Sequence, residues 1–140
     1  MTYRIPAMAT LAGMAAGQAL AATPLDVSGR WLTAERTAQI EIRDCGDGAP
    51  CGTVVWVKPN PKGVLDVKNP APELRARPLV GVRLLYAFHR GETAWEGGRI
   101  YDARSGRTYQ ARMSRSADGT LSVTGCLGPF CQSQTWTQVK

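Results

Sequence analysis

The chain has 140 residues, 44% of them hydrophobic and 20% charged, which is about the size and composition of one globular domain. A second domain and a largely disordered chain are both disfavoured. The formal charge of +6 allows an anionic partner, while 15 glycines and 9 prolines in short scattered groups indicate many turns.

In chain order, the first 21 residues carry one charge, Arg4, then a small apolar run from Ile5 to Ala16 and the small-residue pattern Ala19-Leu20-Ala21. This is the pattern of a signal peptide with a cleavage site. The apolar run is too short for a clean membrane span of about 20 residues. The expected organisation is a leader over 1–21 and one domain over 22–140, periplasmic or secreted, with no transmembrane segment after cleavage. Without Arg4, basic residues still exceed the 11 acidic ones by about five.

The rest of the chain reads as all-β. Apolar and polar residues alternate in Gln39-Ile40-Glu41-Ile42-Arg43, Tyr109-Gln110-Ala111-Arg112-Met113 and Leu121-Ser122-Val123-Thr124, the pattern of half-buried strands. Further runs at 29–33, 52–58, 80–90, 94–103 and 132–139 bring the expectation to eight antiparallel strands. Arg90-Gly91-Glu92, Ser105-Gly106 and Asp118-Gly119 supply the turn residues between neighbours. Eight such strands close into an up-and-down barrel, with a β-sandwich as the alternative. Gly97-Gly98 marks a bend or bulge. In a closed barrel Trp31 and Trp136 become neighbours on the first and last strands.

Cys45 and Cys51 bracket five residues, and Cys126 and Cys131 bracket four. In an oxidising compartment each pair reads as a disulfide across the shoulders of one hairpin. A four-cysteine zinc site is the rival, but its knuckles normally have two to four residues between cysteines. No cofactor or metal is expected.

The segment Lys58 to Pro78 holds five prolines and cannot be sheet interior. Pro70 to Arg75 can open one helical turn capped by Asn69. Loops of this length need a task or a disorder explanation. Asp66, Asn69, Arg75 and Arg77 are therefore candidates for an interaction surface. If Asp66 pairs with one of the arginines the group is structural; if the arginines face outwards they offer rigid forks to an anionic envelope component.

Gly29-Arg30-Trp31, Asp66, Asn69-Pro70, Leu74-Arg75, Arg77-Pro78-Leu79-Val80-Gly81, Trp95, Gly98-Arg99-Ile100-Tyr101-Asp102, Gly106, Tyr109, Gly125-Cys126 and Trp136-Thr137 together resemble the DUF2147 family of small exported bacterial proteins, over Val27 to Val139. That family has no established activity. The opening Gly29-x-Trp31 is also similar to the first-strand motif of lipocalins. Lipocalins often place an arginine on the last strand near that tryptophan, where this chain has Gln138.

Catalytic signals are sparse. His89, the single histidine, lies beside a turn. Glu96 and Asp102 would stand about 20 Å apart on one strand, beyond the roughly 5–10 Å of a carboxylate pair. Asp102 reads as the start of a turn. Basic residues between Lys58 and Arg83 lack the stacking aromatics of a nucleic-acid site, so no nucleic-acid partner is expected. Three function classes follow: a non-enzymatic periplasmic binding or envelope-associated protein, a lipocalin-like carrier of a small apolar ligand, or a hydrolase of unidentified class. The first two are preferred to an enzyme. For a carrier, Trp31, Tyr86, Trp95, Tyr101 and Tyr109 are the candidate ligand-binding residues. The sequence leaves the oligomeric state open.

Overall fold

A computed structural model describes residues 23–60 and 64–140, with five isolated positions before residue 14. The expected leader thus lies almost entirely outside the described residues. Nine ladder segments follow one another: β1 (Gly29–Leu32), β2 (Ala38–Asp44), β3 (Pro50–Val57), β4 (Arg83–Tyr86), β5 (His89–Arg90), β6 (Trp95–Asp102), β7 (Arg107–Arg115), β8 (Leu121–Leu127) and β9 (Phe130–Gln138). Pairing is antiparallel throughout. The order β4-β3-β2-β1-β9-β8-β7-β6-β5, with β4 also pairing β6, makes a closed barrel. Closure removes the sheet edges that would otherwise invite aggregation.

The barrel has eight strands because β4 and β5 are halves of one. Leu85 faces Ile100 and Tyr86 faces Arg99; His89 faces Glu96 and Arg90 faces Trp95 in the same register. Between them Ala87 adopts a φ of 64° and Phe88 turns inward to be buried. Across from it the β6–β7 register shifts between Trp95 and Gly98, the bulge expected at the glycine pair. A Cβ on Gly98 would lie 2.4 Å from the Phe88 ring, so only glycine leaves room for that side chain.

Hydrophobic alternation sets the register, since a one-residue slip would turn every core residue outward. Ile40 and Ile42 of β2, Val54 of β3, Ala111 and Met113 of β7 and Leu121 and Val123 of β8 are all buried in one core. Closure pairs Trp31 with Gln138 and Leu32 with Thr137, and Trp31 and Trp136 are both buried.

The two ends of the barrel differ. At one end the segment from Thr23 to Ser28 crosses the floor, where the Trp31 indole donates to Val27 O at 2.9 Å and the Trp95 indole to Leu25 O at 2.9 Å. Arg115 of β7 stacks on Trp31 at 5.3 Å and donates to Asp26 O and to Gln138 Oε1. The cation covering Trp31 therefore comes from β7, and Gln138 of the last strand is its hydrogen-bond acceptor. Turns β2–β3, β5–β6 and β7–β8 share this closed end.

Connections β1–β2, β3–β4, β6–β7 and β8–β9 lie at the other end. Both expected disulfides are present: Cys45–Cys51 staples the β2–β3 hairpin and Cys126–Cys131 the β8–β9 hairpin. No helix among the described residues is long and apolar enough to cross a membrane. The β3–β4 connection contains a single 3-10 turn, Pro72–Leu74, with Ala71 rather than Asn69 at its cap position. Proline at 72 restricts Ala71 to extended backbone, so the turn starts later than Asn69. The Asn69 side chain accepts from Ala71 N at 2.9 Å instead, a local Asx turn.

Candidate functional site

Above the closed floor the strands diverge around a cavity of about 920 Å³, inside the range of small-molecule sites. Its wall is largely apolar, with Ile40, Val54, Val82, Ile100, Val123 and Trp136 among its residues. Gly125 contributes backbone only, and a Cβ there would make ordinary contact with Ile100 and Tyr109 at 3.6 and 3.7 Å. Gln132 and Gln134 also line the cavity. They alternate with Cys131, Ser133 and Thr135 along β9, so period 2 places them on the same face as Phe130 and Trp136. Charged side chains, Glu35, Lys58, Asp102 and Arg104, join the lining from the open end.

Going round the barrel, the β1–β2 and β6–β7 turns stand on opposite sides of the mouth. Arg104 of the latter nevertheless pairs with Glu35 of the former, forming a bar across the opening. Both partners are exposed, and such a pair contributes about 0–1 kcal/mol, so it narrows the mouth without locking it.

The other two open-end connections flank that bar. The β3–β4 connection folds back on the barrel through an isolated bridge between Leu65 and Pro78 and through mutual hydrogen bonds of Gly81 and Val82 with Val54. Its centre is Asp66, 0% exposed. Asp66 Oδ1 accepts from the Tyr101 hydroxyl at 2.5 Å, and Oδ2 accepts from Asn69 Nδ2 at 2.8 Å and Arg77 Nε at 2.9 Å. Arg77 adds a second contact through Nη2 at 2.9 Å. Arg75 Nε donates to the Asn69 carbonyl at 2.8 Å.

Burial opposes ionisation of Asp66. The hydrogen bonds from Tyr101, Asn69 and Arg77 and the charge of Arg77 outweigh it, holding the carboxyl below its ordinary value of 3.8. Burial, with the Asp66 carboxylate facing it, pushes the Tyr101 phenol up to about 12. The phenol is therefore a fixed donor and Asp66 a fixed acceptor at neutral pH. The four candidate interaction residues thus come together: Asp66 pairs with Arg77, the structural arrangement of the two foreseen, while Arg75 bonds the Asn69 carbonyl through Nε and stays exposed.

Of the five aromatic candidates for ligand contact, Tyr101 and Tyr109 line the cavity. Trp31 and Trp95 do not, because both are consumed in the closed floor. Tyr86 pairs with Arg99 on β6 and is half-buried outside the lining. His89 is exposed beside the Gly97 bulge, and no group of three or more metal-binding side chains occurs among the described residues. Sequence reasoning missed Gln132 and Gln134. The signal for them is a polar residue at core-facing positions between Phe130 and Trp136.

A closed eight-stranded antiparallel barrel with a one-ended cavity and a tryptophan on its first strand defines a lipocalin-like architecture. Protein HP1028 from the human pathogen Helicobacter pylori, described as belonging to the lipocalin family, is similar in structure, with a TM-score of 0.71 at 24% identity over 83% of this chain and 84% of that one. The chain belongs to the DUF2147 family, described as an uncharacterized protein conserved in bacteria, whose profile matches residues 29–138. No functionally curated protein matches it.

Proposed function

We propose that this chain is a non-enzymatic carrier that holds a small, largely apolar molecule inside the barrel. The observation that carries this reading is the cavity of about 920 Å³ with apolar walls and polar groups gathered towards its open end. A ligand with an apolar body and a polar end suits that gradient, its body among Ile100, Tyr109 and Val123 and its polar end towards Gln132 and the charged rim, while Gln134, level with Val123, accepts from the Trp136 indole. The leader-like first 21 residues and the two hairpin disulfides support placing the protein in the periplasm or outside the cell.

The test is Gly125→Leu. The added side chain points into the cavity with no close backbone contact, so the barrel should fold normally while the space is taken. Native mass spectrometry of the protein purified from its own envelope should show a retained small molecule in the wild type and none in Gly125→Leu. Displacement of an environment-sensitive apolar dye should follow the same pattern. Equal dye binding by both proteins, with no retained mass in either, would remove the cavity from consideration.

A further inference from the structure

Six large apolar side chains are exposed among the described residues, and all of them lie at the open end of the barrel. Leu127 and Phe130, 56% and 79% exposed, form the tip of the β8–β9 hairpin around Gly128-Pro129. Leu65, Val67 and Val80 lie on the β3–β4 connection, and Trp56 is one residue from the open end of β3. The strand order puts the β8–β9 tip and the β3–β4 connection on opposite sides of the mouth. Apolar residues scattered singly over a surface need no explanation, but a set confined to one end does.

Charge is sorted along the same axis. Exposed Arg36, Lys58, Lys68, Arg75 and Arg104 surround the mouth, against Glu35, Glu73 and the half-buried Asp102. The closed-end turns and terminal segments carry Asp26, Asp47, Glu92 and Asp118, against Lys140, and the strand ends beside them add Asp44 and Glu96 against Arg43, Arg90 and Arg115. The contact of Lys68 O with Gly106, where a Cβ would lie only 2.0 Å away, fixes the β3–β4 connection against the β6–β7 turn and hence at the mouth.

We infer that the open end docks on an anionic lipid bilayer, with Phe130, Leu127 and the apolar residues of the β3–β4 connection entering the headgroup region and the surrounding cations facing lipid phosphates. Apolar residues ringed by lysine and arginine are the combination that holds a protein in an interface without spanning it. A flat partner is favoured because the two apolar groups stand on opposite sides of one mouth. The Cys126–Cys131 bridge holds the hairpin tip in shape, so little ordering is needed on contact. The closed end mixes both signs and carries no exposed large apolar residue among the described residues, so it offers no competing surface. This goes beyond ligand carriage; Leu127, Phe130, Lys58 and Arg104 also line the cavity mouth, so docking is read from vesicle binding alone and carriage from Gly125→Leu, which alters none of the docking residues.

The test is sedimentation of the full chain with phosphatidylcholine vesicles, with and without phosphatidylglycerol. Binding should require phosphatidylglycerol and weaken as salt is raised. Trp56 supplies an internal reporter, because it is 37% exposed while the other three tryptophans are buried; its emission should shift to the blue on binding. Leu127→Ser with Phe130→Ser should reduce binding about tenfold or more. Arg36→Gln with Lys58→Gln and Lys68→Gln should reduce it by a similar factor at low salt, whereas Asp47→Asn at the closed end should leave it unchanged. Because all variants keep residues 1–22, any contribution from that segment cancels. Binding that neither set of open-end variants reduces would overturn the inference, as would capture of a protein partner by these residues without vesicle binding.

Discussion

Replacing Asp66 by Asn tests whether the β3–β4 connection is held by one buried carboxylate. In the native protein that carboxylate accepts from Tyr101, Asn69 and Arg77, all at 2.5–2.9 Å, and no buried side-chain polar atom among the described residues lacks a partner. An amide of the same size turns one acceptor into a donor: turned to Asn69 and Arg77 it meets donors only, and turned to Tyr101 it is accepted only if the hydroxyl gives up that amide as its own acceptor. Either way one hydrogen bond to a charged group, about 1.5–3 kcal/mol, is lost. Loss of the charge opposite Arg77 adds less than a fully buried pair would, because Arg77 is partly exposed. The expected cost is about 3 kcal/mol in urea unfolding, or a melting point lower by roughly 10 °C for a domain of this size. Tyr101→Phe, which leaves Asp66 Oδ1 without its donor, should cost about 1–2 kcal/mol, and the double variant less than the sum of the two. The pH dependence has a definite sign. Asp66, held below 3.8, contributes stability that is complete above that value and is lost as pH falls through and below it. Tyr101, raised from 10.0 to about 12, contributes stability that is complete below 10.0 and is lost as pH rises towards about 12. Asp66→Asn should remove the Asp66 share of the acid-side loss, leaving that of Asp118, whose carboxyl the hydrogen bonds from Thr120 also hold below its ordinary value. A variant within about 0.5 kcal/mol of wild type, with unchanged acid unfolding, would mean that the carboxylate does not hold the loop.

Three further outcomes follow from the packing. Trp31→Ala removes a fully buried indole and leaves Val27 O without its donor, so unfolding should show a loss of about 3–5 kcal/mol; an unchanged midpoint would contradict closure through β1 and β9. Gly98→Ala must displace Phe88 or open the β6 bulge and should cost about 1–3 kcal/mol, read from thermal melts. Cys126→Ser with Cys131→Ser should cost about 2 kcal/mol, the entropy of closing a short loop, and peptide mapping without reductant should return Cys45–Cys51 and Cys126–Cys131 as the two cross-links.

Much of the barrel is legible in the sequence because period-2 alternation is local. Ile40 and Ile42 announce their face within five residues, the hairpin cysteines announce their partners within six, and Gly97-Gly98 marks the bulge that Phe88 fills. The cavity is harder to read, because it depends on what the aromatic residues do elsewhere. Trp31 and Trp95 look like pocket residues by type, yet their indole N–H groups must find acceptors when buried, and the segment Thr23 to Ser28 supplies them at the floor. The Asp66 cluster joins residues up to 35 positions apart, and nothing local in Tyr101 indicates that its hydroxyl meets that carboxylate. Val80 falls at the start of a strand run and Leu127 and Phe130 fall between the hairpin cysteines, and only the strand order reveals that they share one exposed end.

The knitting of the segment Thr23 to Ser28 into the floor has a consequence for how the molecule can be handled. The last strand finishes at the same end, where Val139 N donates to Arg30 O at 2.8 Å, so the chain enters and leaves the barrel on the side away from the mouth. A tether attached through either terminal segment would hold the barrel by its base and leave the opening towards solution. Joining the two segments by a short linker, with new ends cut into the β7–β8 turn at Ala117, would also move no residue of the mouth. Immobilisation through the base therefore suits both ligand capture and vesicle binding, whereas a label on the β8–β9 tip would obstruct the surface under test.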